Sequence, residues 1–219
     1  LPFHDSLRAM NPTVFIVDDD AALREALVQL LEAAGLQVES YPDGASFLTA
    51  CEPERPGCLL LDVAMPGMTG IEVQTELRRR GNAIPVVFLT GHGDIPMAVR
   101  AVQAGAVDFL EKPMTGGALL ERVHRALCLD QEAREVRAMS REIAERARRL
   151  SQREREVMAL VVGGSSSKEA ARLLGISVRT VEAHRTHVMH KMGATNLAEL
   201  VAMAAHCDLG PVSAATAST

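Results

Sequence analysis

Two rhythms of apolar and polar positions divide this chain. Over the first 127 residues, short runs with no polar face recur: Thr13-Val-Phe-Ile-Val17, Cys58-Leu-Leu-Leu61 and Ile84-Pro-Val-Val-Phe-Leu89, and Val107–Leu110 reads as a fifth strand. Between them lie segments of helical period. Ala21 to Ala34 presents Leu23, Ala26, Leu27, Leu30 and Leu31 and stops at Gly35; Asp43 to Cys51 is a short helix; Met68 to Arg80 stops at Gly81 and Asp94 to Ala104 at Gly105; a further helix follows Pro113. Leu36–Ser40 reads as a short extended piece. Strands that are apolar on both faces and alternate with helices predict a parallel sheet covered on both sides. Five such units in about 115 residues predict a flavodoxin-like, doubly wound, five-stranded α/β domain.

The second rhythm is helical throughout. Ser151-Gln-Arg-Glu154 and Ser166-Ser-Lys-Glu169 match the capping box, in which hydroxyl and carboxylate satisfy reciprocal backbone N–H groups. Ser177 and Asn196 are further N-cap candidates, and Gly163-Gly164, Gly175 and Gly193 supply breaks. Four helices in about 60 residues, the middle pair joined by Leu174-Gly-Ile-Ser177, predict an all-α helix-turn-helix domain. In the connecting segment, Leu129, Val136, Ile143 and Leu150 recur every seven residues, with Ala133, Ser140 and Ala147 alternating. Small residues make a weak coiled-coil seam, so an amphipathic helix continuing the one after Pro113 is the preferred reading. The expected organisation is a 11–127 α/β domain, a 128–149 helical linker and a 150–208 helix-turn-helix domain, with 1–10 and 209–219 as disordered tails.

Composition sharpens this picture. The chain is 47% hydrophobic and 3% aromatic, with no Trp, which weighs against aromatic stacking platforms for sugars or single strands. Residues 1–127 carry 17 acids and 10 bases, a net of −7; residues 128–149 carry five acids and six Arg; residues 150–219 carry six acids and seven bases. The whole-chain charge of −5 thus hides an acidic first half and a slightly basic remainder. Cys51, Cys58, Cys128 and Cys207 have no zinc or redox spacing and read as reduced thiols. No run has the length of a membrane span, and the first residues lack the apolar stretch of a signal peptide, with Met10 as a candidate start. A cytoplasmic location is expected.

In a doubly wound sheet, function collects at the carboxyl ends of the strands. Those ends carry Asp18-Asp19-Asp20, Asp62, Thr90 and Lys112. Converging carboxylates repel and need a cation, and an all-oxygen donor set suits Mg²⁺. A Lys and a hydroxyl across the same edge suit the oxygens of a phosphoryl group, whose acceptor is then a carboxylate. Asp20 reads instead as the cap of the first helix.

These stretches resemble the response-regulator receiver domain: Val17-Asp18-Asp19-Asp20, Leu61-Asp62-Val-Ala-Met-Pro66-Gly-Met-Thr-Gly70, Thr90-Gly-His-Gly-Asp94 and Glu111-Lys112-Pro113. The resemblance implies that Asp62 is phosphorylated and that Asp19 and Asp62 bind Mg²⁺ directly. It further implies the Ala64 carbonyl as third protein ligand and Asp18 acting through water. Thr90 and Lys112 then contact the phosphoryl group, and Thr90 and Phe109 form a coupled switch. There are three departures from the receiver pattern. Ala64 offers no side chain beside the phosphoryl group, Met114 replaces the frequent Phe, and Gly116-Gly117 sits in a helical first turn.

Leu150-Ser-Gln-Arg-Glu-Arg-Glu156, Lys168-Glu-Ala-Ala-Arg-Leu-Leu-Gly-Ile-Ser177 and Val178 to Met192 resemble the LuxR-type helix-turn-helix. The helix after Ser177 is then the recognition helix, with Val181, Val188 and Met192 inward, His184 alongside them, and Arg179, Thr180, Glu182, Ala183, Arg185 and Thr186 toward base edges. Lys168 and Lys191 are cast as phosphate contacts. His184, His187 and His190 lack the further ligands of a metal site, and the Gly and Ser residues before Lys168 lack P-loop spacing. Helix Asn196 to Cys207 resembles the family's dimer-forming helix. Together the motifs resemble a two-component response regulator of the NarL/FixJ class. That implies a sensor histidine kinase, double-stranded operator DNA in two half-sites, homodimerisation on activation and RNA polymerase as partners. Two alternatives stand beside it: a phosphate-insensitive receiver used as an interaction module, and an aspartyl-phosphate phosphatase. The phosphatase needs a second Asp where Ala64 stands.

Overall fold

The apolar runs form the centre of one parallel sheet in a computed structural model that describes residues 12–91 and 106–206. The first part of the chain gives β1 (Thr13–Val17), α1 (Ala21–Ala33), β2 (Gln37–Tyr41), α2 (Gly44–Ala50), β3 (Gly57–Asp62), α3 (Gly70–Arg79), β4 (Val86–Thr90) and β5 (Asp108–Glu111). A long helix α4 (Gly116–Arg148) follows, then α5 (Gln152–Val162), α6 (Ser167–Leu174), α7 (Val178–Met192) and α8 (Leu197–His206). The expected helix from Asp94 to Ala104, His92, Cys207 and both expected tails lie outside the described residues. Cys51, Cys58 and Cys128 are free thiols. No described helix is long and apolar enough to cross a membrane.

The strand order β2-β1-β3-β4-β5 is the flavodoxin-like order. Alternate side chains go to opposite faces of a strand, so β1 sends Phe15 and Val17 to one core and Val14 and Ile16 to the other. Phe47, Leu59, Leu61, Val73, Leu77 and Phe88 complete the first core. Leu27, Leu31, Leu60, Leu89, Leu119 and Val123 complete the second. Register then places the chemistry. Val17 pairs with Leu61, Asp62 with Leu89 and Thr90 with Glu111, so Asp18, Asp62, Thr90 and Lys112 all fall at one sheet edge.

The chain divides into two compact units, Leu1–Arg134 and Glu135–Thr219, with the division inside α4. The segment read as a linker is therefore shared. Asp130 is buried; its Oδ2 accepts from Gly57 N at 2.9 Å and from Arg134 Nε at 2.6 Å. Arg134 also donates to the carbonyls of Glu54 and Arg55, each at 2.6 Å, binding this part of α4 to the start of β3. Further on, Ile143, Ala147 and Leu150 are buried in the core of the second unit with Val157, Val161, Val181, Val188 and Leu200. The seven-residue repeat is thus not one continuous seam. Ile143 and Leu150 are packed within their own unit, while Leu129 and Val136 are 39% and 58% exposed.

Helix α4 starts with two glycines, and Thr115 Oγ1 caps it by accepting from Ala118 N at 3.3 Å. A Cβ at Gly117 meets nothing within 4 Å, whereas one at Gly116 lies 3.1 Å from Leu30 Cδ1. Gly117→Ala is therefore expected to stabilise the protein by about 0.5–1 kcal/mol, through the lower backbone entropy of the unfolded chain. Urea denaturation checks this: an unchanged or lower midpoint contradicts it.

Candidate functional site

At the carboxyl edge of the sheet, ligand oxygens of Asp18, Asp19 and Asp62 all lie within 4.8 Å of one another. Asp18 and Asp62 are buried, and Asp19 is exposed. Lys112, one residue beyond β5, reaches across the edge. Its Nζ donates to Asp18 Oδ2 at 2.6 Å and to Asp62 Oδ1 at 2.7 Å. The backbone N–H of Lys112 donates to the Thr90 carbonyl at 2.7 Å, fixing the lysine beside β4. Asp20 is the N-cap of α1, its Oδ1 accepting from Ala22 N at 2.9 Å and Leu23 N at 3.2 Å, as the sequence pattern indicates.

The electrostatics follow from burial. Burial pushes the Asp62 carboxyl up from its ordinary value of 3.8, and the neighbouring Asp18 and Asp19 add to the rise against the pull of Lys112. Burial also acts on the Lys112 ammonium, pulling it down, but its hydrogen bonds to Asp18 and Asp62 outweigh that and hold it above its ordinary value. The site therefore carries more negative charge than one ammonium comfortably balances. Three carboxylates with oxygen donors alone fit a hard divalent cation such as Mg²⁺, and Lys112 remains to meet an anion. Ala64 is exposed and Thr90 is buried at the end of β4. Phe109 on β5 is 43% exposed, directed away from the core.

In the second unit, Ser151 and Ser166 cap α5 and α6 with complete capping boxes, and Ser177 caps α7. Gly175 closes α6 at φ 64° and ψ 34°, a left-handed geometry that glycine adopts without strain, which turns the chain tightly into α7. Val181, Val188 and Met192 face the core. His184 is half-buried beside them with an unpartnered Nδ1. Arg179, Thr180, Glu182, Ala183 and Thr186 are exposed on α7, and Lys168 is exposed on α6. Arg185 is half-buried and donates to Ser167 Oγ at 2.7 Å, tying α7 to α6. Lys191 is engaged within the unit: its Nζ donates to the buried Glu154 at 2.7 Å. The helical histidines form no metal-capable group among the described residues.

The sequence position of Glu154 marks it as no more than a capping residue, yet it joins α5 to α7. It accepts from Ser151 N at 2.7 Å and from Lys191, and lies 3.9 Å from His187 Nδ1. Its hydrogen bond from Lys191, reinforced by the Ser151 N–H, holds its carboxyl down to about 2. A depressed carboxylate stabilises the fold above its ordinary value of 4.5, and that contribution is lost as pH falls toward 2. The second unit is expected to lose melting temperature between about pH 5 and pH 2, and Glu154→Gln to flatten that slope. Melting curves by circular dichroism across this range check it; identical slopes in the two proteins contradict it.

Comparison with known proteins covers nearly the whole chain. Residues 14–124 match the response regulator receiver domain, and residues 148–204 match the bacterial regulatory proteins of the luxR family. The transcriptional regulatory protein FixJ of Azorhizobium caulinodans is 44% identical over 203 residues, 93% of this chain and 96% of that protein. The response regulator protein TodT of Pseudomonas putida is 41% identical over 203 residues, 91% of this chain and 89% of its own. Among solved structures, the response regulator StyR has a TM-score of 0.80 at 44% identity and covers 89% of this chain and 98% of its own. Full-length FixJ from B. japonicum has a TM-score of 0.57 at 41% identity, covering 90% of this chain and 97% of its own.

Proposed function

We propose, on the premise that this chain belongs to the response regulators that join a receiver domain to a luxR-type DNA-binding domain, that its DNA binding is switched by a phosphoryl group on Asp62. The observation that carries the proposal is the Asp18–Asp19–Asp62 cluster with Lys112 Nζ 2.7 Å from Asp62 Oδ1. Asp19, Asp62 and the Ala64 carbonyl are the residues to hold Mg²⁺, with Asp18 acting through water. Bound Mg²⁺ neutralises charge on the phosphoryl oxygens.

The donor is the phosphohistidine of a sensor histidine kinase. One bond forms, from an Asp62 carboxylate oxygen to phosphorus. One breaks, from phosphorus to the imidazole nitrogen, which keeps the electron pair and later takes up a proton. Lys112 keeps its ammonium and moves its hydrogen bond from the Asp62 oxygen to the incoming phosphoryl oxygens. Water later cleaves the acyl phosphate and restores Asp62. The phosphorylated side chain carries about −2 where the carboxylate carried −1, and this extra charge draws Thr90 and Lys112 toward the phosphoryl group and biases Phe109 from outward to inward. That switch promotes homodimerisation, so two α7 helices meet two half-sites of operator DNA, with RNA polymerase as a downstream partner. The work is done in the cytoplasm, where the DNA is.

The test is incubation of the full chain with acetyl phosphate, with and without Mg²⁺, followed by intact-mass and peptide analysis and DNase footprinting. The expected result is one Mg²⁺-dependent phosphoryl group on the peptide containing Asp62, together with a stronger footprint. Absence of labelling, or labelling elsewhere, overturns the proposal. Labelling without any change in the footprint supports the interaction-module alternative instead.

On the DNA side, Arg179 is an exposed, early α7 residue suited to a guanine edge, and Arg179→Ala is expected to cost about 1–3 kcal/mol of binding and relax base preference at one position. Lys168→Ala is expected to weaken all sequences alike and lower the salt slope by about one. Anisotropy titrations at several salt concentrations separate the two patterns; a uniform loss for Arg179→Ala rules out its base-reading role.

A further inference from the structure

Asp18, the first residue beyond β1 and a member of the acidic cluster, is held at four points. Its N–H donates to the Tyr41 carbonyl at 3.3 Å, and its Oδ1 accepts from Asp20 N at 3.0 Å. Its Oδ2 accepts from Lys112, and its carbonyl oxygen accepts from Arg24 Nη1 at 2.6 Å. The first bond extends the β1–β2 ladder, the second belongs to the turn, and the third belongs to the site already described. The fourth comes from a half-buried side chain on α1, one turn beyond the Asp20 cap.

The Asp18 carbonyl is one end of the Asp18–Asp19 peptide plane, and a peptide is planar. A guanidinium bonded to that carbonyl therefore holds the plane, and with it the Asp19 Cα from which that side chain leaves the backbone. Asp19 depends on this. Its carboxylate is exposed and has no hydrogen-bond partner among the described residues, yet it lies with Asp18 and Asp62 in the cluster. Among the described residues, the backbone is what places it there.

We infer that Arg24 is a positioning residue for the divalent cation: through the Asp18 carbonyl it holds the Asp19 carboxylate where the metal binds. This rests on the Mg²⁺ reading of the same site. The inference is sharp because the simple electrostatic alternative has the opposite sign. A positive charge near three carboxylates repels Mg²⁺, so if Arg24 were only a nearby charge, neutralising it would tighten Mg²⁺ binding. If it positions Asp19, neutralising it loosens binding.

Calorimetric titration of Mg²⁺ into the full chain decides the matter, with wild type, Arg24→Met and Arg24→Lys compared and folding checked by circular dichroism. Arg24→Met keeps the apolar stem and removes charge and donor together. It is expected to raise the Mg²⁺ dissociation constant about tenfold, the lower end for groups that orient metal ligands. The labelling rate with acetyl phosphate then recovers toward wild type at saturating Mg²⁺. Arg24→Lys retains charge but offers no planar fork, so its affinity falls between the two. Equal or tighter Mg²⁺ binding by Arg24→Met overturns the inference and leaves the site reading intact. Wild type that binds no Mg²⁺ overturns the metal reading and the inference with it. If Arg24→Met does not fold, Arg24→Lys carries the test: weaker binding than wild type supports the inference, and wild-type affinity overturns it.

Discussion

Asp62→Asn is expected to reduce phosphoryl uptake from acetyl phosphate to background and to leave DNA affinity insensitive to the donor. The amide has no nucleophilic oxygen of comparable strength, and no neighbour replaces it. Asp18 is buried against Lys112 and the Asp20 N–H, and Asp19 sits at the exposed rim. Stability is expected to move the other way. Burial raises the Asp62 carboxyl above its ordinary value of 3.8, so the folded state prefers it protonated. The sign follows from linkage: that preference stabilises the fold fully below 3.8 and is lost as pH rises through the raised folded value. At neutral pH the ionised carboxylate is a net cost, and removing its charge relieves repulsion with Asp18 and Asp19. Asp62→Asn is therefore expected to melt higher than wild type at neutral pH, with the difference shrinking in acid. Mass analysis after acetyl phosphate treatment and melting curves at two pH values check both halves. Continued labelling of the variant at another residue, with intact switching of DNA affinity, would falsify the assignment of Asp62.

Much of this was legible in the sequence because burial on both faces leaves a one-letter signature. Val14–Val17 and Cys58–Leu61 are apolar at every position because they lie inside the sheet, and their pattern gives the strand ends to within a residue or two. Once the strands were placed, parallel topology brought Asp18, Asp62, Thr90 and Lys112 to one edge without further information. The local caps, Asp20 and the Ser151 and Ser166 boxes, were legible too; what escaped was the side-chain partners distant in sequence. Nothing in the helical pattern singles out Arg24, and only the fold shows its guanidinium on the Asp18 carbonyl. Asp130 and Arg134 stand four apart on one helix, which says nothing of the buried partner, Gly57, 73 positions away. Lys191 reads as a phosphate contact, yet it is bonded to Glu154 across the domain. The seven-residue repeat from Leu129 to Leu150 conflates two environments, because a period identifies a helical face but not what covers it.

Gly70→Ala is expected to damage fold and phosphoryl site together, because one backbone atom stands in the way of the added methyl group. Gly70 is the first residue of α3, just after the Thr69 cap, and its N–H donates to the Val63 carbonyl at 3.0 Å. That bond draws the start of α3 hard against the end of β3. A Cβ at position 70 lies 2.3 Å from the Asp62 carbonyl oxygen, with Leu61 Cγ and Phe88 Cε1 each at 3.1 Å. A flexible side chain yields to such an approach at small cost, but the Asp62 carbonyl belongs to a central strand paired to Leu89 and has nowhere to go. Either α3 lifts away from the sheet or the Asp62 peptide tilts. Lifting α3 exposes Val73 and Leu77, both buried in the core beneath it. Tilting the peptide turns the Asp62 carboxylate away from Lys112 and Asp19. Ordinary overpacking costs about 1–3 kcal/mol; a clash with an immobile backbone atom places this substitution at or above about 3 kcal/mol. Urea denaturation measures the loss, and acetyl phosphate labelling of the surviving folded fraction measures the damage to the site. Gly117→Ala, where the same methyl group meets open space, is the matched control. If Gly70→Ala unfolds at the wild-type midpoint and labels at the wild-type rate, the close packing of α3 on the Asp62 peptide does not constrain the site.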